Sequence, residues 1–380
     1  MSDSVQPART FNRRQAMGFG LAAAGGMAFL AACSSDTTTP TTQPTAIQAN
    51  TGKITILTWE TYHDTPWLDA YKAQTGVQVE AITVGSGDEL FAKAQSGTVK
   101  PDLLYFDSGL IPRFVKANLI APVVLDRLKN TALITPGLNW QTNNTYDNLL
   151  YGVPYNWGNQ PLMYNAAVIT TPPNSWGALW DPAYKGKVVM FDAADVTIPM
   201  VALYVGAKDP YHLTDEEFDK VRDALQKLRP QVRTIAKGFD DAVSIFAAGD
   251  GVIGYCQNIS EVAQLNKDGK NFAYTFPNEG TPSWQDNAAI TGAGQRQEVY
   301  DFIDANTTVP WQARFIEASS NNGILSADEA RKGGVPDDVL KLTNILDAQD
   351  PAFWSKMRPL QDPESISMRL DVWNEFKAGA

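Results

Sequence analysis

Beginning at Lys53, segments with the alternating pattern of β-strands are separated repeatedly by segments with the spacing of helices. This order constrains the fold more than any other feature, because strands connected through helices pair in parallel by right-handed crossovers. The pattern therefore predicts the α/β class. Two series of strands are present, which predicts two lobes. The predicted strands are residues 53–59, 77–84, 102–106, 187–191, 251–255 and 272–276.

Two of the predicted helices carry terminal signals of their own. The helix at 67–74 is followed by Gly76, and glycine readily adopts the left-handed conformation that ends a helix. The helix at 215–228 is preceded by Thr214, and Glu217 follows three residues later, which is the spacing of a capping box.

The first 32 residues have the composition of an export signal and are excluded from the fold. Arg13 and Arg14 precede a weakly hydrophobic run that ends at Cys33, too short and too rich in Ala and Gly to favour a transmembrane anchor. Its Leu-Ala-Ala-Cys ending resembles a lipoprotein signal, which implies cleavage before Cys33 and lipidation of that thiol. The paired arginines match a twin-arginine signal only in part. Residues 33–51 are rich in Ser, Thr, Pro and Gln and are predicted to form a flexible stalk.

Composition argues against several functions. The 380 residues are 44% hydrophobic, enough for a large core in two or three structural units. A formal charge of −11 argues against a nucleic-acid surface, because phosphate binding needs clustered Lys and Arg. The chain has 2 cysteines and 2 histidines, so we expect no Cys/His metal site, and no cofactor is implied. Cys256 is expected to be a buried, unpaired thiol, because the anchor uses Cys33.

In open α/β sheets, ligands bind at the carboxyl ends of the strands, so the residues that follow each strand are candidates. The candidates here are aromatic or acidic, and none is basic. They suit an alkylammonium, because carboxylates replace its lost hydration while aromatic faces attract the cation and enclose its methylene groups. The predicted ligand-binding residues are Trp59, Glu60, Tyr62, Asp192, Asp195, Tyr255, Trp284 and Asp286.

Most of the candidates also have a structural interpretation. Asp195 directly precedes a predicted helix and has the position of its N-cap. A lone tryptophan such as Trp59 or Trp284 is more often a core residue than a ligand contact. Asp286 has the position of a residue that begins a turn. No such alternative applies to Asp192.

Residues 53–379 as a whole resemble the spermidine/putrescine-binding proteins of bacterial ABC importers. The stretch at 175–186, Ser-Trp-Gly-Ala-Leu-Trp-Asp-Pro-Ala-Tyr-Lys-Gly, is the most specific of the matching segments. The other matching segments are residues 57–62, 152–158, 191–195, 277–280 and 284–286.

The resemblance implies roles for the candidates. Asp192 and Asp195 correspond to the family's acid pair, which holds ligand amines. Trp284 and Asp286 correspond to the family's Trp-x-Asp element, in which one amine lies beneath an indole. The remaining aromatic positions of the family's site are Trp59, Tyr62 and Tyr255.

Some positions depart from the family's pattern. Thr61 replaces an acid beside the first aromatic residue, although Glu60 is adjacent to it. Gly109 and Asn321 stand where the family has tyrosines, and Gln361 corresponds to a late glutamine of the family. These losses leave room for a shorter, bulkier or differently charged amine.

The resemblance implies a two-lobe, type II periplasmic-binding-protein fold of the α/β class, with a ligand cleft between the lobes. We expect lobe 1 to comprise residues 52–155 and 286–325, and lobe 2 to comprise residues 156–285 and 326–380. The chain is expected to cross between the lobes near Tyr155 and near Asp286.

The implied function is that of a substrate-binding lipoprotein of an ABC importer, and not of an enzyme. The expected partners are a polyamine and a membrane permease, and the mature protein is expected to be a monomer, anchored by its lipid to the outer face of the cytoplasmic membrane. The same fold with another small cation, an amino acid, a thiamine-like base or a metal chelate stays open. A weaker alternative is a secreted carboxylate hydrolase that uses Glu60, Asp192, Asp195 and Asp286 as acid and base.

Overall fold

The computed structural model describes residues 47–379. Its strands are β1 (Lys53–Trp59), β2 (Gln78–Val84), β3 (Leu103–Asp107), β4 (Thr145–Tyr146), β5 (Leu149–Leu150), β6 (Val153–Asn159), β7 (Leu162–Asn165), β8 (Val188–Phe191), β9 (Val232–Ala236), β10 (Ile253–Tyr255), β11 (Phe272–Thr275), β12 (Thr281–Ile290) and β13 (Met357–Pro359). Its α-helices are α1 (Thr65–Thr75), α2 (Gly87–Ser96), α3 (Ile111–Lys116), α4 (Trp140–Asn143), α5 (Ala194–Tyr204), α6 (Asp215–Leu228), α7 (Phe239–Ala248), α8 (Ser260–Lys267), α9 (Gln297–Asn306), α10 (Val309–Ser319), α11 (Ala327–Lys332), α12 (Asp337–Leu342), α13 (Pro351–Ser355) and α14 (Ile366–Ala378).

The strands form two main sheets, one in each lobe. The first sheet has the order β13-β12-β3-β1-β2, and β6 pairs with the opposite side of β12. In it, β1 is parallel to β2 and β3, whereas β12 is antiparallel to β3 and β6. The second sheet has the order β11-β7-β10-β8-β9, with β8 parallel to both of its neighbours. Helices separate the parallel strands in both sheets, so the predicted α/β class is confirmed.

Strands β6 and β12 have no alternating polarity. Every residue of β6 is buried, and so is every residue of β12 except Trp284. A strand that is covered on both faces does not alternate between apolar and polar residues. This is why the alternation pattern does not reveal either strand.

The chain crosses between the two lobes three times. The first crossing is at 160–161 between β6 and β7, the second at 276–280 between β11 and β12, and the third at 360–365 between β13 and α14. The N–H of Gln160 donates to the carbonyl of Pro282 (2.9 Å), and the N–H of Leu360 donates to the carbonyl of Ser283 (2.7 Å). The three crossings therefore lie side by side at the start of β12.

Each lobe has a hydrophobic core of its own. The first core includes Tyr105 and Tyr155 on the strands and Phe315 on α10. The second core lies around β8 and β10, and α14 adds Trp373 and Phe376 to it. The last helix of the chain is thus part of the second lobe.

The chain after residue 325 is divided between the lobes differently from the expected boundary. Ala330 on α11 and Leu340 on α12 share a buried cluster with Ala313 and Ile316 on α10. Since α10 belongs to the first lobe and β13 pairs with β12, residues 327–359 pack with the first lobe rather than the second. The contacts that decide this come from separate helices whose partners are not evident in the sequence.

The terminal signals predicted for two helices are present. Gly76 ends α1 in the left-handed region, with a φ of 76°. Thr214 and Glu217 form a capping box at the start of α6. Within residues 47–379, none of the helices is both long and apolar enough to span a bilayer.

The predicted signal peptide and Cys33 lie outside the described residues. From Gln48 onward the chain is fixed to the first lobe, where the Gln48 N–H donates to the carbonyl of Gln295 (2.7 Å). The N–H groups of Thr51 and Gly52 donate to the carboxylate of Glu298 at 2.7 and 2.9 Å. Residues 48–52 therefore belong to the folded lobe, although the predicted stalk extends to residue 51.

Candidate functional site

Tyr62 and Asp286 are joined at the carboxyl end of β1. The Tyr62 hydroxyl donates a hydrogen bond to Oδ2 of Asp286 (2.6 Å) and accepts one from Nδ2 of Asn156 (3.0 Å). The Tyr62 carbonyl accepts a hydrogen bond from the Tyr155 hydroxyl (2.5 Å). The turn before Tyr62 contains Thr61 with a φ of 73°, an unfavourable conformation for a β-branched residue. The hydrogen bonds hold this strained turn in place and fix the position of Tyr62.

Asp286 is a buried strand residue and does not begin a turn. It lies inside β12 with 7% of its surface exposed. Burial raises the pKa of Asp286 to about 6, and the Tyr62 hydroxyl and the indole of half-buried Trp59 partly offset this effect. Most of the Asp286 carboxyl groups are therefore ionised at pH 7.

A second carboxyl group lies opposite Asp286. Asp107, the last residue of β3, is the direct ladder partner of Asp286, and opposite residues on antiparallel strands have Cβ atoms roughly 5 Å apart. Oδ1 of Asp107 accepts from the Gly109 N–H (2.7 Å) and Oδ2 from the Gln285 N–H (3.0 Å). Burial and, next, the charge of Asp286 raise the pKa of Asp107 to about 8, against the effect of these backbone bonds. Because the repulsion is mutual, the pair retains about one proton near neutral pH.

The sequence analysis missed Asp107, although a signal for it exists. Asp107 directly follows the predicted strand at 102–106, so the rule that selected Trp59 and Glu60 after the first strand applies to it equally. Glu60, by contrast, is exposed at the turn after β1. Within residues 47–379 it forms no hydrogen bond through its side chain.

Trp284 lies against Gly158 of β6. A Cβ atom at residue 158 would lie 2.3 Å from Cζ2 of Trp284, so only glycine leaves space for the indole here. The half-buried Trp284 lines a cavity of about 190 Å³ together with Trp157, Trp354 and Asp107. The first lobe thus brings together Trp59, Tyr62, Trp284 and Asp286 of the predicted residues and adds Asp107.

Asp195 is on the second lobe, in the first turn of α5. It does not cap the helix: the N-cap position is Ala193, which makes no side-chain cap. Asp195 as a residue is exposed. Neighbouring protein atoms nevertheless desolvate its carboxyl group, and this desolvation raises its pKa. The negative charge of Asp88 on α2 adds to the shift. Because α2 belongs to the first lobe, Asp195 lies within electrostatic range of an acid on the other lobe.

Asp192 is held in an ion pair. Its Oδ1 accepts hydrogen bonds from Nε1 of Trp373 (2.8 Å) and from Nζ of Lys377 (2.9 Å), both on α14. Although desolvation opposes ionisation, these two contacts lower the pKa of Asp192. The sequence prediction overlooked this alternative, because Lys377 follows Asp192 by 185 residues. Through these two contacts, Asp192 links α14 to the end of β8, which is a structural role.

Tyr255 is buried in the second lobe and does not line the cavity beside Trp284. Its hydroxyl donates to Oε1 of Gln160 (2.7 Å) in the first crossing, and its ring stacks on Trp176 with centroids 5.7 Å apart. The expectation that Tyr255 faces the cleft is therefore not met, because its polar end is used to hold the crossing. The neighbouring Cys256 is a fully buried free thiol within the described chain, as predicted.

Tyr211 connects the two halves of the site. It lies in the loop before α6, almost fully buried, and its hydroxyl donates to the carbonyl of Arg358 (3.3 Å). Burial raises the pKa of Tyr211, and the charges of Asp107 on the first lobe and Asp195 on the second contribute to the shift. Tyr211 thus lies within electrostatic range of one acid on each lobe. No sequence pattern marks this loop residue.

A larger cavity of about 550 Å³ lies between the lobes, beside the third crossing. Ser108, Gly109 and Lys116 of the first lobe line it, together with His212 of the second lobe and with Gln361 and Glu364 of the crossing. A Cβ atom at Gly109 would lie 2.5 Å from the carbonyl oxygen of Leu360, so the tyrosine of the family's pattern would not fit at this position. The backbone of Leu360 and Gln361 in the third crossing occupies the space that a tyrosine side chain at position 109 would need.

Asn321, the other position where the family has a tyrosine, joins the lobes. Its Oδ1 accepts a hydrogen bond from Nδ2 of Asn258 (3.0 Å). Asn258 follows β10 of the second sheet, whereas Asn321 follows α10 of the first lobe. This contact joins the two lobes on the side of α8 and α10.

Two α/β lobes that share three adjacent crossings, with acidic and aromatic side chains between them, define a two-lobe ligand-binding protein. The family model described as "Bacterial extracellular solute-binding protein" matches residues 67–338. The chain belongs to this family.

Named relatives agree with the resemblance found in the sequence. The spermidine/putrescine-binding periplasmic protein of Escherichia coli K12 is 26% identical over 246 residues, which are 63% of this chain and 68% of the relative. The putrescine-binding periplasmic protein PotF of the same strain is 24% identical over 346 residues, 85% of this chain and 91% of the relative. The resemblance to this family is thereby confirmed.

A solved structure shows the same fold. The spermidine/putrescine ABC transporter substrate-binding protein PotD from Streptococcus pneumoniae superposes with a TM-score of 0.73 at 20% identity, covering 86% of this chain and 99% of the neighbour. The predicted two-lobe fold of the periplasmic-binding proteins is therefore confirmed.

Proposed function

We propose that this protein is the solute-binding component of an ABC importer and that it binds a polyamine-like cation between its lobes. The observation that carries the proposal is a set of three carboxyl groups, Asp107, Asp195 and Asp286, which form no ion pair within residues 47–379. Its named relatives bind spermidine and putrescine, which supports the same class of ligand here.

The chemistry of the site suits an amine with several charges. An ammonium that enters the cleft loses its hydration, and charge-assisted hydrogen bonds to Asp286 and Asp195 replace it from the two lobes. The indoles of Trp59 and Trp284 offer faces that attract the cation and cover its methylene groups. A linear polyamine, with charges separated by short alkyl chains, matches acids that are separated by aromatic rings.

Ligand contacts from both lobes connect binding to a change of shape. A ligand that pairs with Asp195 and Asp286 favours the closed arrangement, since only there do both carboxylates contact it. The three adjacent crossings supply the hinge about which the lobes close. A membrane permease would recognise the surface formed by the closed lobes, so ligand binding is signalled to the permease by the change of conformation.

We infer no enzymatic activity. His63 is buried among aromatic rings, and burial lowers its pKa to about 3, so it is neutral and serves as a core residue. His212 is paired with Asp209 at 2.9 Å. Asp192, one of the acids that a hydrolase would need, is paired with Lys377. Of the four acids expected of a hydrolase, Asp192 is therefore engaged in an ion pair and Glu60 is exposed at a turn, which argues against that alternative.

A solute that carries a carboxylate as well as an amine is the second candidate, and one observation favours it. Arg369 on α14 is 1% exposed, and its Nη1 has no hydrogen-bond partner among residues 47–379. Although burial raises the pKa of Asp195, the charge of Arg369 acts in the opposite direction, so the guanidinium lies within electrostatic range of that carboxyl group. A carboxylate on the ligand would satisfy the free N–H groups.

Thermal unfolding in the presence of a ligand panel tests the function. The panel contains putrescine, cadaverine, spermidine, spermine, agmatine and neutral amino acids. A ligand at a hundred times its dissociation constant should stabilise the protein by about 2.7 kcal/mol. Stabilisation by amines alone supports the polyamine proposal, stabilisation by amino acids supports the second candidate, and no stabilisation by any compound would rule out both.

Calorimetric affinities of two variants then test whether the ligand binds at Asp286. Asp286→Asn keeps the shape of the side chain and removes its charge, so it should weaken binding of the best amine on the order of thirtyfold or more. The matched control is Asp126→Asn, an exposed acid on the same lobe, which should bind within twofold of the wild type. Equal affinity of Asp286→Asn and the wild type would place the ligand elsewhere.

We also propose that the protein is exported and attached to the membrane as a monomer through a lipid on Cys33. The support is the Leu-Ala-Ala-Cys sequence and the export of its periplasmic relatives. Mass spectrometry of the mature N-terminus decides the modification, and Cys33→Ala should release the protein from the membrane fraction. A mature chain that begins elsewhere without a lipid would contradict the proposal.

A further inference from the structure

The sequence motif at 175–186 contacts the second crossing at its first two residues. Trp176 is fully buried, and its Nε1 donates a hydrogen bond to the carbonyl of Gly280 (2.8 Å). The hydroxyl of Ser175 donates to Oε1 of Glu279. Because the motif is packed in the core of the second lobe, these contacts fix the end of the second crossing to that lobe.

The second crossing passes from one lobe to the other at a single peptide. The N–H of Asn278 donates to the carbonyl of Asn174 on the second lobe (2.8 Å), whereas the N–H of Thr281 donates to the carbonyl of Lys356 on the first lobe (2.9 Å). Between them, Gly280 has a φ of 109°, in a region that glycine enters without steric cost. The backbone between Gly280 and Thr281 is therefore the place where the two lobes can turn relative to each other.

The first crossing is held by the same part of the second lobe. The ring of Trp176 stacks on Tyr255, whose hydroxyl donates to Oε1 of Gln160 in the first crossing (2.7 Å). The backbone N–H of Gln160 donates to the carbonyl of Pro282 (2.9 Å), two residues after Gly280. One stacked aromatic pair is thus bonded to two crossings, close to the peptide at which the second crossing changes lobes.

We propose that Trp176 and Tyr255 are positioning residues of the hinge, which hold two crossings on the second lobe so that closure is a rotation about the backbone between Gly280 and Thr281. This inference rests on the proposed function, in which the lobes close on a ligand. Without the Trp176 bond, the second crossing gains freedom mainly in the open arrangement, because contacts between the lobes restrict it in the closed one. The closed population falls, and the apparent affinity falls with it.

A pair of tryptophans in the motif supplies the test and its control. Trp176→Phe keeps an aromatic ring and removes the donor. Trp180→Phe makes the same change within the second lobe, where the Trp180 indole donates to the carbonyl of Ala224 (2.8 Å) and stacks on Tyr204. By calorimetry with spermidine or putrescine, whichever the wild type binds more tightly, Trp176→Phe should bind about threefold to tenfold more weakly and Trp180→Phe within twofold of the wild type. In small-angle X-ray scattering without ligand, Trp176→Phe should have a larger radius of gyration than the wild type.

Both effects in Trp176→Phe alone would support the hinge role, because a general loss of stability leaves the dimensions of the folded molecules unchanged. Unchanged affinity, an unchanged radius of gyration, or an equal change in the control would overturn it. If Trp176→Phe does not fold, Ser175→Ala removes the neighbouring contact with Glu279 and should change both quantities in the same direction. If neither amine binds the wild type, the proposed function has failed, and the scattering comparison alone decides the inference.

Discussion

The hydroxyl of Tyr62 donates to Oδ2 of Asp286 at 2.6 Å, and this bond joins the turn after β1 to a strand 224 residues further along the chain. It stabilises the ionised form of a buried carboxyl group, so the pKa of Asp286 rises less than burial alone would raise it. The same bond orients the carboxylate toward the ring of Tyr62. A cation that binds Asp286 therefore meets a charged group whose direction is already fixed.

Replacing Tyr62 by phenylalanine tests this arrangement. The variant Tyr62→Phe removes the donor and keeps the ring, so Asp286 should become harder to ionise and binding of the best amine should weaken about tenfold. Calorimetry at pH 7 measures the change. Tyr184→Phe, a partly buried tyrosine of the second lobe, is the control and should bind as the wild type does. Unchanged affinity in Tyr62→Phe would show that the bond serves the fold alone.

The pairing of Asp107 with Asp286 predicts that binding depends on pH. Their pKa values are raised to about 8 and about 6, mainly by burial, so the empty pair holds about one proton near pH 7. The facing groups Tyr62 and Tyr211 have pKa values raised above their ordinary range and stay neutral. A bound cation favours ionisation of both acids, so affinity should rise between pH 6 and pH 8.

Calorimetry in two buffers with different heats of ionisation measures this proton release directly. At pH 7, close to one proton should leave for each amine bound, and about half of that or less should leave in Asp107→Asn. A proton count of zero in the wild type would mean that both acids are already ionised in the empty protein.

The ion pair of Asp192 with Lys377 predicts a variant with a structural effect. Asp192→Asn should lower the free energy of unfolding by about 1 kcal/mol, since both side chains are partly exposed, with 28% and 34% of their surface accessible. Amine affinity should stay within twofold of the wild type. Lys377→Met should lower stability to a similar extent, and chemical denaturation measures both. A large loss of affinity in Asp192→Asn alone would restore the prediction that Asp192 binds the ligand.

Glu261 predicts a loss of stability with rising pH. Its side chain is fully buried at the start of α8, and burial raises its pKa to about 8 against the effect of neighbouring hydrogen bonds. Because the folded protein holds this proton more tightly than the unfolded chain, the stabilising contribution is complete below about pH 4.5 and is lost as the pH rises through 8.

The variant Glu261→Gln has no proton to lose. Between pH 5 and pH 8, its free energy of unfolding should therefore increase relative to that of the wild type, by up to about 1.4 kcal/mol for each pH unit. Urea denaturation at pH 5, 6.5 and 8 gives the comparison. Parallel pH profiles for the two proteins would contradict the raised pKa.

Local patterns predicted much of the fold. The bounds of β1 and α6 agree with the predicted ranges, because alternating polarity and a capping box are signals within a few residues. The strands β6 and β12 were not predicted as strands, although they are central to the first lobe. Both are buried on two faces and contain polar residues such as Asn156 and Asn287, whose partners include the distant residues Tyr62 and Asn144.

In the candidate site too, local signals were readable from the sequence and long-range contacts were not. Strand ends point to Asp286 and Asp195, and the same rule would have found Asp107. What a side chain contacts there depends on residues far away in the sequence. Lys377 forms the ion pair that holds Asp192, and Gln160 accepts the hydrogen bond that orients the hydroxyl of Tyr255. Such partners can be assigned only after the sheets are assembled.

The placement of α14 has a consequence for the order in which the protein folds. The second core needs Trp373 and Phe376 from that helix, and the first sheet needs β12, which pairs with both β3 and β6. A ribosome that has synthesised the chain as far as β11 has therefore supplied neither lobe with its full set of contacts. The first lobe completes its sheet only after β12 and β13 have been made, and the second lobe completes its core only with α14, the last helix described.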